Sequence, residues 1–116
     1  MSHTGGDREI SFSKRDDLKT FIQHNKHVIV RVSAVWCGPC KKIAPLIKER
    51  VNNLPNNVQV VYVDLDKHRD VASALKIKNV PTFLSFLDGA PDVCLVGADS
   101  TNVKSFFNKV VAKVSI

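Results

Sequence analysis

Apolar and polar positions along this chain follow two periods, and the changes between them mark out the elements. Val28-Ile29-Val30-Arg31-Val32-Ser33-Ala34 is a near-continuous apolar run. Such a run suits a central strand covered on both faces, and Arg31 is its one intrusion. Val58 to Leu65 and Pro81 to Leu87 read as further strands, and Glu9 to Ser13 as a short edge strand. Asp88-Gly89 is a hairpin signal, so Asp92 to Val96 should return antiparallel. Helical spacing takes over elsewhere. Leu18, Phe21 and Ile22 mark a first helix that ends near His24-Asn25, with Ser13 and Asp16 spaced as a capping box. Ile43, Leu46, Ile47, Val51 and Leu54 mark a second, from about Cys37 to Asn53. Pro45 lies inside it and should kink it. Asn52 to Asn57 is a turn-rich break. A short third helix is expected over Asp66 to Ala74, with Val71, Ala72 and Leu75 inward. Val103, Phe106, Phe107, Val110, Val111 and Val114 fall on one face of a last helix, capped by Asp99 or Ser100 and laid on a sheet.

The order β-α-β-α-β-α-β-β-α predicts an α/β domain with a mixed sheet. At 116 residues the chain is one domain long. Residues 1–8 are expected to be a flexible N-terminus and 9–116 the domain. No apolar run approaches the ~20 residues that span a bilayer. The first residues, MSHTGGDREISFSKR, hold Asp7 and Glu9 and no apolar block, which argues against a secretory signal and weakens a transit-peptide reading. A cytoplasmic, reducing setting is therefore expected. The net charge of +6 favours acidic partners and says nothing about fold. The basic residues form no long run and do not interleave with aromatics, which argues against a nucleic-acid platform.

Three cysteines do not make a disulfide scaffold. Cys94 is expected to be a packed strand cysteine, acting as a small hydrophobe. Cys37 and Cys40 are different, because they sit where an apolar strand gives way to a helix. A thiol at a helix N-terminus meets unpaired backbone N–H groups and the positive end of the helix dipole. Both favour the thiolate. A free cysteine, with a pKa of about 8.5, is only ~3% thiolate at pH 7, whereas a Cys-x-x-Cys thiol lowered to about 7 is half ionised. Cys37 is the candidate nucleophile, and Cys40, one helical turn on, the candidate resolving thiol. Pro39 falls in the first turn, where its missing N–H costs little. The same spacing occurs in zinc sites. Against that, the chain has no second such pair, and His24, His27 and His68 have no clear ligand spacing to this one.

Trp36-Cys37-Gly38-Pro39-Cys40-Lys41, with Val80-Pro81-Thr82-Phe83 and Val96-Gly97-Ala98 further on, resembles the thioredoxin family over nearly the whole chain. The resemblance implies a thioredoxin fold, a central mixed β-sheet flanked by helices on both faces. It implies a protein-disulfide reductase working by dithiol-disulfide exchange, with no bound cofactor or metal. NADPH would be used indirectly, through a thioredoxin-reductase-like flavoenzyme. Disulfide-containing proteins would be the substrates, and a monomer is expected. Gly38 and Pro39 would support the active site, and Trp36 would be a surface platform beside the thiols. Pro81 would be cis and lie against the disulfide. The backbone of Val80 would pair with a substrate chain like an added strand, and Gly97 and Ala98 would flank the groove. Lys41 and Lys42 could attract acidic substrates or form only a solvated helix face.

Two positions depart from the family. Arg31 and Tyr62 stand where thioredoxins usually carry a buried aspartate and its lysine partner. Arginine stays protonated and cannot accept a proton. Aimed at the thiols, its charge would favour thiolate and make the disulfide more oxidising; in the other reading it snorkels away from the site with its stem packed. A buried unpaired arginine is costly, so a partner is expected: the ring or hydroxyl of Tyr62, or Asp64 or Asp66. The departures leave two alternatives, a specialised, slower or more oxidising exchanger and a thioredoxin-fold binding module that needs no turnover.

Overall fold

The computed structural model describes residues 8–114. Its elements are β1 (Glu9–Ile10), α1 (Arg15–Gln23), β2 (His27–Ser33), α2 (Gly38–Asn52), β3 (Val58–Asp64), α3 (Arg69–Ala74), β4 (Thr82–Leu87), β5 (Ala90–Val96) and α4 (Ser100–Val114). The strands form one sheet in the order β1-β3-β2-β4-β5. β1, β3 and β2 run parallel, and β4 and β5 are antiparallel additions. This is the expected mixed sheet, with β2 at its centre and every one of its residues buried.

Strand alternation divides the core in two. Ile29, Val58, Val60 and Phe83 face Ile43, Ile47 and Val51 of α2 and Val103, Phe106, Phe107 and Val110 of α4. Val28, Val30, Val32, Val61 and Val63 face Leu18 and Ile22 of α1 and Val71 and Ala72 of α3. Helices therefore cover both faces. Phe83, Phe106 and Phe107 meet at ring-centroid distances of 5.6–6.5 Å, two of the three pairs edge to face, the arrangement that aromatic quadrupoles favour. The hairpin turns at Asp88 (φ 53°) and Gly89 (φ 83°). Both central residues are left-handed, as a tight hairpin matched to strand twist requires.

Several local expectations change. α1 starts at Arg15, with Lys14 at its N-cap and no side-chain cap, so the Ser13–Asp16 capping box does not form. Asp70 of α3 takes its place, accepting from the Arg15 backbone N–H and from Arg15 Nε, each at 2.7 Å. α3 starts at Arg69, because the residues before it form a turn held by Asp64. Asp64 Oδ1 accepts from the N–H groups of Asp66 and Lys67. α2 runs through Pro45 from Gly38 to Asn52. As expected, Asp99 caps α4, its carboxylate accepting from Asn102 N–H. Cys94 is exposed, not packed, because it lies on the outer strand β5, where alternation turns it to solvent.

Residues 1–7 of the expected flexible terminus lie outside the described residues. Arg8, the last of that segment, is anchored. Its guanidinium donates to the carbonyls of Val51, Leu54, Pro55 and Val58 at 2.7–2.9 Å. It thereby clamps the last turn of α2 at Val51, the turn beyond it at Leu54 and Pro55, and the start of β3 at Val58, adding to the backbone N–H groups of Leu54 and Val58 that Val51 O and Pro55 O already accept.

Candidate active site

The end of β2 and the start of α2 place the two cysteines. Cys37 is the N-cap of α2, with extended backbone (φ −86°, ψ 106°), and Gly38 and Pro39 follow in the first turn. Its own N–H donates to Ala34 O at 3.1 Å. Its Sγ accepts from Cys40 N–H at 3.2 Å, so the sulfur stands where a capping oxygen usually stands. Cys37 and Cys40 are joined as a disulfide. Both are buried and pack with Ala34, and Leu65 and Val80 lie against them. Among the described residues, no group of three or more His, Cys, Asp or Glu side chains could hold a metal ion.

A rim of exposed residues surrounds this buried pair. Trp36 is 62% exposed, and its Nε1–H donates to Asp66 Oδ2 at 2.7 Å, which tethers the indole to the β3–α3 turn. Val35 and Val96 are also large exposed apolar side chains, 67% and 58%. The Val80–Pro81 peptide is cis, as the resemblance implied, and Pro81 itself is buried. Pro81 O accepts from Gly97 N–H at 2.9 Å, which ties the two landmark loops together. Gly97 has φ 118°, and a Cβ there would meet open space. Its lack of a side chain serves backbone conformation and leaves the surface above it clear. Ala98 is half-buried beside it, and Lys41 and Lys42 are exposed on α2.

The turn that tethers Trp36 is itself held by a buried histidine. Asp64 N–H donates to Nδ1 of buried His68 at 2.9 Å. Burial holds His68 below the ordinary histidine range, while Asp64 pulls it up and Lys67 pushes it down. A proton on Nδ1 would remove that acceptor.

Arg31 does not stand unpaired. Its Nε donates to Glu9 Oε2 at 2.5 Å and its second terminal nitrogen to Glu9 Oε1 at 3.2 Å. Its Cζ lies 4.6 Å from the centre of the Tyr62 ring. The expected aromatic partner is present, but the carboxylate is Glu9, and neither Asp64 nor Asp66 supplies it. Asp64 is engaged by its own turn and Asp66 by Trp36. Glu9 was missed because a sequence pattern does not show which edge residue lies opposite which. The one signal was a buried arginine that called for a partner. Val35, as part of the apolar rim, was also missed, since it reads simply as the end of a strand.

The thioredoxin family profile matches residues 9–109 of the chain. The sequence is 36% identical over 98 residues to thioredoxin-2 of Pyricularia oryzae, covering 84% of this chain. It is 38% identical over 90 residues to a thioredoxin H-type of Chlamydomonas reinhardtii, covering 78% of this chain and 80% of that protein. The chain spans about half the length of several curated relatives it matches, 57% for the Pyricularia protein. Among solved structures, a reduced Schistosoma mansoni thioredoxin pre-protein superposes with a TM-score of 0.76 at 36% identity, covering 90% of this chain and all of that one. With a sheet of this order, a disulfide whose first cysteine caps α2, and a cis peptide after Val80, which packs on that pair, the chain belongs to the thioredoxin family.

Proposed function

We propose that this chain is a protein-disulfide reductase. In its reduced form the Cys37 thiolate attacks one sulfur of a substrate disulfide. That S–S bond breaks, a mixed disulfide forms through Cys37, and the substrate's other sulfur leaves as a thiolate and takes a proton. Cys40, deprotonated, then attacks Cys37 Sγ. The mixed disulfide breaks, the second substrate thiol leaves, and Cys37–Cys40 is left oxidised. Two electrons and two protons pass to the substrate. The observation that carries this reading is the position of Cys37 Sγ, at the α2 N-cap and taking the Cys40 N–H. That site stabilises negative charge on Cys37 sulfur as the attacking thiolate.

Trp36, Val35 and Val96 form an apolar rim on which a substrate chain rests, and Val80 backbone and the open surface at Gly97 and Ala98 line its path. Disulfide-bearing proteins are the substrates. A flavoenzyme using NADPH restores the dithiol, and the setting is cytoplasmic. The pairing of Arg31 with Glu9 favours an ordinary reductase over a more oxidising exchanger, since the added charge is offset.

The test is reduction of insulin disulfides with dithiothreitol as electron source. The chain should accelerate it, Cys37→Ser should abolish the acceleration, and Cys40→Ser should accumulate mixed disulfides. A Cys37→Ser protein as active as the parent would refute the reading. If that variant also kept its cellular function, the chain would be a binding module.

A further inference from the structure

The first described residues form a strap that does two separate things. Arg8 reaches the far end of α2, as described above. Glu9 turns its side chain into the protein and is only 1% exposed, one of the largest fully buried side chains. β1 lies parallel on β3 with Glu9 opposite Val60, and Arg31 lies opposite Tyr62. Val60 and Ile29 face α2, so by strand alternation Glu9, Tyr62 and Arg31 do too. The array runs from the edge of the sheet toward its centre, beneath the helix whose first turn carries both sulfurs. Arg31 is three residues before Ala34, which packs on the disulfide.

We propose that Glu9 is a positioning residue for the redox pair: its carboxylate draws the Arg31 guanidinium over Tyr62 toward the sheet edge and cancels its charge, leaving the Cys37 thiol poised as though no cation lay beneath it. At ~3.3 Å per residue along β2 and ~4.8 Å per strand across, the guanidinium is about 12 Å from the sulfurs. With an effective dielectric of about 20, an uncompensated unit charge at that distance changes a thiol's ionisation about tenfold. Other titratable groups on the elements that carry or adjoin the pair are Lys41 and Lys42 on α2 and Asp64, Asp66, Lys67 and His68 in the β3–α3 turn. None of these is altered by a change at Glu9, so a variant there isolates the pair.

The inference rests on Cys37 as the reactive thiol, and its readout does not need turnover. In a Cys94→Ser background, the reduced protein is titrated by thiolate absorbance and equilibrated against dithiothreitol. Glu9→Gln keeps the shape and removes the charge. The Cys37 midpoint should fall by about one pH unit, and at a pH well above both midpoints the equilibrium should shift about tenfold toward the dithiol, ~30 mV less negative. Glu9→Gln/Arg31→Met should return both values to within about twofold of the parent. Arg8→Met loosens the same strap and should move neither. An unmoved Glu9→Gln, or an Arg8→Met that moves as far, overturns the proposal. Should Glu9→Gln not fold, Arg31→Met decides the matter, because with the cation gone the midpoint must hold or rise, and a fall overturns the proposal. A parent that titrates as expected but reduces no disulfide would sink the functional reading and leave this one standing.

Discussion

The two ends of α2 are treated in opposite ways. At its N-terminus the first turn, Gly38-Pro39-Cys40-Lys41, carries no acid. The free N–H that an aspartate or serine would take is given to Cys37 Sγ, and both sulfurs are sealed under Ala34, Leu65 and Val80. Past its C-terminus Arg8 gathers four carbonyls at once, one in the last turn of α2, two in the turn that follows and one at the start of β3. One end keeps its partial charge for chemistry, and the other has its partial charge neutralised by a cation brought from the start of the chain. Variants at the two ends should therefore change different quantities.

The largest effect belongs to the open end. Cys37→Ser should remove at least ~99.9% of disulfide reductase activity, since a hydroxyl is far from ionised at pH 7. Its urea unfolding, compared with the reduced parent, should change by no more than about 1 kcal/mol. Insulin turbidity and urea titration check the two halves. A comparable loss of stability would mean that this end is structural as well.

At the closed end, Arg8→Met should cost about 2–3 kcal/mol in urea unfolding, because several charge-assisted hydrogen bonds to part-buried carbonyls are lost together. Activity per folded molecule should stay within about twofold. A large drop in activity with intact stability would erase the contrast between the ends.

Gly97→Val comes next. The backbone there is in the left-handed region (φ 118°), so a β-branched residue should cost about 1–2 kcal/mol of stability. It also adds bulk where a substrate chain would lie. KM for a protein disulfide should rise several-fold, with kcat less affected, as steady-state kinetics would show.

His68 sharpens the comparison from the neighbouring turn. Its pKa is lowered by burial in the folded state, so between the folded and the unfolded value the unfolded chain binds more protons. Stability is then full above about pH 6.5 and falls as pH drops from there toward the folded value. His68→Gln should flatten that part of a thermal-unfolding profile. A parent profile flat over pH 5–7 would show that the turn is not acid-sensitive.

The smallest effect is at the α1–α3 contact. Arg15, through its backbone N–H first and its side chain second, holds exposed Asp70 below the usual carboxylate range. The stability from this contact is present above the unfolded carboxylate pKa and is lost as pH falls through the folded one. Asp70→Asn should remove that shallow acid limb and leave activity unchanged.

What could be read without coordinates follows from short range. Period-2 and period-3.6 burial make the strands and helices, because a sheet and a helix each have a geometry that repeats within a few residues. Cys37 and Cys40 are one helical turn apart at a strand-to-helix junction, so their pairing and their place at the helix start are local facts too. The Asp88-Gly89 turn and the apolar face of α4 belong to the same class. Other features depend on what the chain brings alongside. Asp70, not Ser13, caps α1, because α3 packs beside it. Cys94 is exposed because its strand is outermost, a matter of strand order. Trp36 is tethered by a residue thirty positions away. Above all, the partner of Arg31 depends on the register of β1 against β3. The sequence called for a partner there, because a buried guanidinium cannot shed its proton. That it is Glu9, and that its charge lies on the edge side of Tyr62, was decided only by folding, since side-chain ion pairs follow from strand register and no local pattern encodes it.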